Sequence, residues 1–219
     1  MLAVRCRGLC KVWPSGVVAL DGVDLEVGEG EPVILMGPSG AGKTTLIRLV
    51  SGLERLDAGE IQLWGETVAA RGVHLPARKR GVGMVFQDLA LWPHLSARAQ
   101  LELVQKREGT GRKERRAAAE RWLERVGLQA RAGHEPGRLS GGERRRLALA
   151  RGMIGCPRLL LLDEPFAELP SGQAGELFEM IRLERNRSGL ATIVVSHLLP
   201  EGLGDGIRII PMAMPESYA

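Results

Sequence analysis

The run Gly37-Pro-Ser-Gly-Ala-Gly42-Lys43-Thr44 carries the spacing G-x-x-x-x-G-K-[ST] in full. Its glycines let successive backbone N–H groups turn inward around phosphate oxygens. A helix that begins there aims its positive end at the same anion. Lys43 can reach the β- and γ-phosphates of a nucleotide, and the Thr44 hydroxyl can hold Mg²⁺. Gly37, Pro38, Ser39, Gly40, Ala41, Gly42, Lys43, Thr44 and the adjacent Thr45 are therefore read as a phosphate cradle. Alone, this motif says only that the chain binds a nucleoside triphosphate.

Two further motifs narrow the chemistry. Leu159-Leu-Leu-Leu-Asp163 reads as a buried strand that ends in a carboxylate. Ligands of open α/β sheets bind at the carboxyl ends of strands, which puts Asp163 in place for Mg²⁺. Glu164 precedes Pro165, so a helical backbone is disfavoured there and an extended one is expected. Neighbouring side chains on an extended chain point apart. Asp163 would then face the metal and Glu164 a water in line with the γ-phosphate, as a general base or water-positioner. In Leu139-Ser-Gly-Gly-Glu143, Ser140 and Glu143 fit the capping box S-x-x-E at the start of a helix. Gly141 and Gly142 leave backbone N–H groups open at that helix end, which is an anion site. One chain already has a cradle, so this second anion site points to a phosphate held by another subunit.

These residues need elements to hold them. Val33 to Met36 reads as a strand running into the cradle, and Thr44 to Gly52 as the helix leaving it. Glu60 to Trp64, Val82 to Phe86, Ala191 to Val195 and Ile207 to Ile210 read as further strands, and Gln173 to Arg187 as a helix closed by Gly189. Strands alternating with helices imply a mostly parallel sheet covered by helices. Spaced apolar residues between Val17 and Val27 predict antiparallel strands beside that core. From Ser96 to Ala150 the pattern is almost entirely helical, with breaks at Gly109–Gly111 and near Gly133–Gly137. The expected organisation of residues 1–219 is one α/β domain: residues 1–95 and 151–219 as the core, and 96–150 as an inserted helical lobe.

Composition excludes other classes. The 219 residues are 44% hydrophobic and 26% charged, ordinary for a globular chain. No apolar run approaches the length that spans a bilayer, and no signal peptide is expected at the N-terminus. Cys6, Cys10 and Cys156 are read as reduced, partly buried thiols. The net charge of +4 rests on 25 Arg against 5 Lys. The basic stretch from Lys106 to Arg125 is interleaved with Glu108, Glu114, Glu120 and Glu124, as on a solvated helix face, so no nucleic-acid partner is expected.

Taken in order, Gly37–Thr44, Gln87, Leu139–Glu143, Leu159–Glu164 and Ser196-His197 resemble the nucleotide-binding subunit of an ABC transporter, over roughly residues 1–200. The resemblance implies a P-loop NTPase core with an N-terminal antiparallel β-subdomain and an inserted α-helical lobe. Its cofactors would be ATP and Mg²⁺. Trp13 would stack on adenine, Gln87 would touch Mg²⁺ or water, and His197 would contact the γ-phosphate. Ser140, Gly141 and Gly142 would meet ATP held by an opposing subunit in a head-to-tail dimer, with itself or a paralogue. Partners would be integral membrane permease subunits, with an extracytoplasmic solute-binding protein acting through them, at the cytoplasmic face of the cell membrane. Phe86 to Ser96 is similar to importer-type subunits, where this segment lines the groove for the permease. Such importers often carry a C-terminal regulatory domain, for which this chain stops too soon. The alternatives are a non-transport ABC ATPase acting on ribosome or DNA, and a weakly hydrolysing regulatory module. Departures from the family pattern are Pro170 where an aspartate is usual, Glu168 where a small residue is common, Leu198 after the histidine, and a short segment from His197 to the last strand.

Overall fold

A computed structural model describes residues 1–106, 110–167, 169–197 and 206–215. In chain order the strands and α-helices are β1 (Leu2–Val12), β2 (Val18–Gly28), β3 (Pro32–Met36), α1 (Lys43–Ser51), β4 (Ala58–Leu63), β5 (Glu66–Ala70), β6 (Val73–His74), β7 (Val82–Val85), α2 (Ala97–Val104), α3 (Arg112–Arg125), α4 (Gly141–Met153), β8 (Leu159–Asp163), α5 (Ser171–Ser188), β9 (Ala191–Ser196) and β10 (Arg208–Pro211). They form two five-stranded sheets. One, in the order β2-β1-β4-β5-β6, is antiparallel; the other, β10-β3-β9-β8-β7, is parallel.

The largely apolar runs of β3, β8 and β9 follow from burial on both faces of the parallel sheet. Leu160 and Leu162, with Ile34 and Val194, pack on one side against Leu101, Leu123, Leu147 and Leu177 of the longer helices. Leu159 and Leu161, with Leu35 and Ile193, pack on the other side against Leu46, Ile47 and Val50 of α1 and against Leu9, Leu25 and Ile61 of the antiparallel sheet. Alternate residues of one strand thus serve two cores. Both cores converge on the carboxyl ends of β3, β8 and β9.

The structure departs from expectation in several places. The antiparallel sheet equals the parallel one in strand number, because β5 and β6 form an additional hairpin. Trp64 is not in a strand: with Gly65 it makes the two-residue turn to β5, at φ 49° and 83°, the geometry of a tight hairpin turn. Within 96–150 the expected break near Gly133–Gly137 contains a short 3₁₀ turn at Pro136–Arg138, and a second, unexpected one falls at Gln129–Arg131. Of the cysteines, Cys6 is buried and Cys10 half-buried as expected, but Cys156 is exposed because it sits on the turn after α4. Glu108, Glu168 and Leu198, and the segment following His197, lie outside the described residues.

Arg80 ties the antiparallel sheet to α1. It is only 3% exposed. Nη1 donates to the Leu49 and Val50 carbonyls at 2.8 and 3.0 Å, in the last turn of α1. Nε donates to Leu75 O at 2.7 Å and Nη2 to Val68 O at 3.2 Å. A buried cation is therefore held by carbonyl dipoles at the negative end of a helix. Burial lowers its guanidinium to about 10, still protonated at neutral pH. Arg80→Ala strips these carbonyls of their donor and is expected to cost about 3 kcal/mol in denaturant unfolding. Arg80→Lys should recover only part of it, because an ammonium lacks the planar fork.

Candidate functional site

The cradle is built by close approach. Gly42, the N-cap of α1, stands at φ 80°, and a Cβ there would lie 2.2 Å from Ala19 O. A Cβ on Gly37 would lie 2.2 Å from Met212 O. Only glycine fits either position, so β2 and the segment after β10 clasp the loop from both sides. Lys43 is 5% exposed and folds back to donate Nζ to Gly37 O at 2.7 Å and Pro38 O at 2.9 Å. Burial lowers its ammonium from the ordinary lysine value, and Glu164 and Asp163 act in the opposite direction.

A cleft of about 360 Å³ lies over this loop. The run from Ser39 to Thr45 forms its floor, and Trp13, Gln87, Glu164 and His197 enter from the other elements. Gly37 and Pro38 are not on the wall but beneath it, holding Lys43. Asp163 is 2% exposed and reaches the cleft through Thr44, whose Oγ1 donates to Asp163 Oδ1 at 2.9 Å. Gln87 is exposed on the turn after β7. Trp13 is oriented by the turn between β1 and β2, where its N–H donates to Val17 O at 2.8 Å. Lys11 Nζ sits 5.2 Å from the Trp13 ring centre and 3.6 Å from Asp57 Oδ1. Val17 and Val18 also line the cleft. Lys11 and these valines carried no sequence signal, because their role depends on the turn that brings β2 beside the cradle.

Glu164 is not extended, contrary to expectation. It takes the left-handed conformation at φ 47°. Pro165 disfavours only the right-handed helical region at the preceding residue, and the left-handed one stays open. The Glu164 N–H donates to Val195 O at 3.0 Å, so the turn locks β8 to β9. The carboxylate then faces His197: Oε1 lies 3.0 Å from Nε2, and Oε2 accepts from the His197 N–H at 3.4 Å. Oε1 is buried, and its approach to Nε2 is too poorly aligned to be a hydrogen bond. Among the described residues it is an acceptor without a hydrogen-bond donor, at the edge of the cleft.

Ser140, Gly141 and Gly142 do not line the cleft. The capping box forms as expected, with Glu143 N–H donating to Ser140 Oγ at 3.2 Å and Ser140 N–H to Glu143 Oε2 at 2.8 Å. Ser140 is exposed. Beside it, Arg145 Nη2 donates to Ala167 O, tying the head of α4 to the turn after Glu164. Pro170 is the N-cap of α5 at φ −54°, a value proline supplies.

Thr44, Asp163 and Gln87 offer a hydroxyl, a carboxylate and a carboxamide, all oxygen donors of the kind Mg²⁺ takes alongside water. Burial is the largest influence on Asp163 and raises its carboxyl above the ordinary aspartate range, against the Thr44 hydrogen bond and the charges of Arg48 and Lys43. A carboxyl raised by folding binds protons better folded than unfolded. Stability is therefore lost as pH climbs from the ordinary aspartate value through the raised one. Asp163→Asn is expected to raise the melting temperature of nucleotide-free protein at pH 7, by about 2–4 °C for each kcal/mol relieved. The gain should vanish in scans below the ordinary aspartate value.

Residues 20–167 match the ABC transporter family. The Fe(3+) ions import ATP-binding protein FbpC of Mesorhizobium japonicum is 42% identical over 97% of this chain and 58% of its own length. The lipoprotein-releasing system ATP-binding protein LolD of Chromohalobacter salexigens is 37% identical over 90% of this chain and 85% of its own. The chain therefore spans little more than half of the first of these relatives. Among solved structures, the dimeric bacterial ABC transporter cassette MJ0796 superposes with a TM-score of 0.85 at 29% identity, over 96% of this chain and 94% of that one. The same cassette in a post-hydrolysis dimer with ADP and Pi gives 0.79 at 30% identity, over 89% of this chain and 88% of that one. With more than half its residues matched, and with relatives of this identity along almost its full length, the chain belongs to the ABC transporter family.

Proposed function

We propose that this chain is the ATP-hydrolysing subunit of a transporter, working as a head-to-tail dimer beneath a separate membrane permease. The observation that carries this reading is the single cleft where Lys43, Thr44, Gln87, Glu164 and His197 converge on the cradle, while the exposed Ser140 turn stands outside it. A turn of that kind is positioned to complete the cleft of a second copy. The MJ0796 dimer is the structural relative that supports this pairing.

Within the cleft, Trp13 supplies a face for adenine and the cradle N–H groups take the phosphates. Mg²⁺, when bound, neutralises charge between the β- and γ-phosphates. Thr44, Asp163 and Gln87 are the residues that would hold it. Lys43 must leave the Gly37 and Pro38 carbonyls to reach phosphate, exchanging two neutral acceptors for anionic ones. Glu164 accepts a proton from the attacking water through its orphaned Oε1, and His197 orients that carboxylate and meets the γ-phosphate. Ser140, Gly141 and Gly142 would donate to the γ-phosphate bound in the second subunit.

Residues 96–150 are read as the lobe and residues 1–95 and 151–219 as the core, since α2 and α3 pack on α4 and α4 reaches β7. A groove of about 1040 Å³ with Trp64, Phe86 and Trp92 on its wall and Arg78, Lys79 and Lys106 at its rim is the proposed seat of the permease. Among the described residues no helix is long and apolar enough to cross a membrane; peripheral attachment at the cytoplasmic face is favoured by the relatives' names as ATP-binding proteins of import and lipoprotein-releasing systems. Import is favoured by the Phe86–Ser96 segment and by the name of the iron-importing relative. A solute-binding protein would then act through the permease.

The test is Glu164→Gln. It should lower kcat by about 10²–10⁴-fold while the MgATP-bound protein shifts from monomer to dimer in light scattering. An unchanged kcat, or a wild type that turns over no ATP, sinks the reading. Lys43→Ala is expected to abolish saturable ATP binding. Pro170 stands where the family places an aspartate near the subunit boundary, and we read it as weakening communication between the two sites. Pro170→Asp should therefore raise the Hill coefficient of the ATPase, and superimposable rate curves would discard that idea.

A further inference from the structure

The loop leaving β7 carries Gln87 into the cleft and then passes two non-glycine residues in the left-handed region. Leu89 stands at φ 61° and Ala90 at 43°. Two such residues in succession persist only where surrounding structure over-determines them. Here two helices supply the constraint. Arg151, in the last turn of α4 and 7% exposed, donates Nη2 to Leu89 O at 2.8 Å and Nη1 to Ala90 O. Its guanidinium also lies 5.2 Å from the Trp92 ring centre. From the other side Gln100 of α2, fully buried, accepts from Trp92 N–H and donates to the Trp92 and Leu95 carbonyls, each at 3.2 Å.

Arg151 thus spends its donors on carbonyls of the strained turn itself. It sits on the same uninterrupted helix whose opposite end is the Ser140 capping box. A helix of this length is a rod, and about 16 Å of it separate the two ends. Trp92, Ala90 and Arg151 also wall the large groove. The grip lies where the groove, the Gln87 loop and α4 meet.

We propose that Arg151 is a positioning residue whose hold on the Leu89 and Ala90 carbonyls locks the Gln87 loop to α4, so that Gln87 and the Ser140–Gly142 turn move as one body when two subunits close on ATP. The inference rests on the dimeric ATPase reading and adds to it the part that joins its two half-sites. Lysine cannot reproduce the grip, because one ammonium does not span two carbonyls as a guanidinium does.

The experiment uses the full chain with Arg151→Lys and Arg151→Met. Each is assayed for MgATP affinity, for kcat and KM, and, with Glu164→Gln added, for ATP-driven dimerisation. The expected result is MgATP affinity and KM within about twofold of wild type, with kcat and the dimerisation constant each reduced at least about tenfold (about 1.4 kcal/mol). Leu89→Gly/Ala90→Gly, added to Arg151→Met, relieves the strained turn. It should restore the melting temperature but leave turnover low. Wild-type kcat in both Arg151 variants would overturn the proposal. So would recovery of turnover by the glycine pair, which would make Arg151 a stabiliser of the turn alone. Loss of MgATP affinity would overturn it too, placing the effect at the cradle. Absence of ATP-driven dimerisation in Glu164→Gln with Arg151 intact would instead remove the dimer reading, and the proposed coupling with it.

Discussion

An α-helix is positive at its N-terminus and negative at its C-terminus, and this protein puts both ends of α1 to use. The first turn is the floor of the phosphate cradle. The last turn is met by Arg80, buried and bonded to the Leu49 and Val50 carbonyls. A positive charge at that end completes the dipole, and its further bonds to Leu75 and Val68 anchor the helix in the antiparallel sheet. The two sheets are thereby joined through the helix that is proposed to bind phosphate. Since α1 also packs within the one core that the two sheets share, its position sets the height of Lys43 and Thr44 relative to β8.

A second constraint comes from the strand ends. Glu164 is held in a left-handed turn by Val195 O and faces His197. That geometry aims the carboxylate across the sheet edge instead of along β8. Asp163, one residue earlier, points instead toward Thr44 in the first turn of α1. Two adjacent acids are separated into a buried group bonded to Thr44 and a cleft-side group by one unusual backbone angle. The placement costs strain, and the parallel pairing of β8 with β9 supplies the rigidity that holds it.

Much of this was legible in the sequence for local reasons. The cradle announces itself because Gly37 and Gly42 occupy places where no Cβ fits. The doubly buried strands read as unbroken apolar runs, and the capping box at Ser140 needs only four residues. What escaped was whatever depended on distant partners. The β5–β6 hairpin is short and weakly apolar, and the β4–β5 turn before it uses Trp64 at a position that usually favours Asn or Gly. The backbone of Glu164 is decided by Val195, far along the chain. Arg80 and Arg151 are two arginines among 25, and nothing in their neighbours separates a buried clamp from a solvated charge. Their carbonyl acceptors are distant in sequence and appear only in three dimensions.

The clasp on Gly37 has a consequence for how the molecule is made. Met212 O rests against the loop at the point where a side chain would be, and Met212 N–H donates to Met36 O at 2.6 Å. β10 pairs in parallel with β3, more than 170 residues earlier in the chain. A nascent chain on the ribosome can form the antiparallel sheet from its first 74 residues. The Gly37 turn beneath the cradle, in contrast, is not braced by Met212 until β10 has emerged and paired with β3. The support beneath the cradle is therefore completed late in folding, after the antiparallel sheet that flanks it can already have formed.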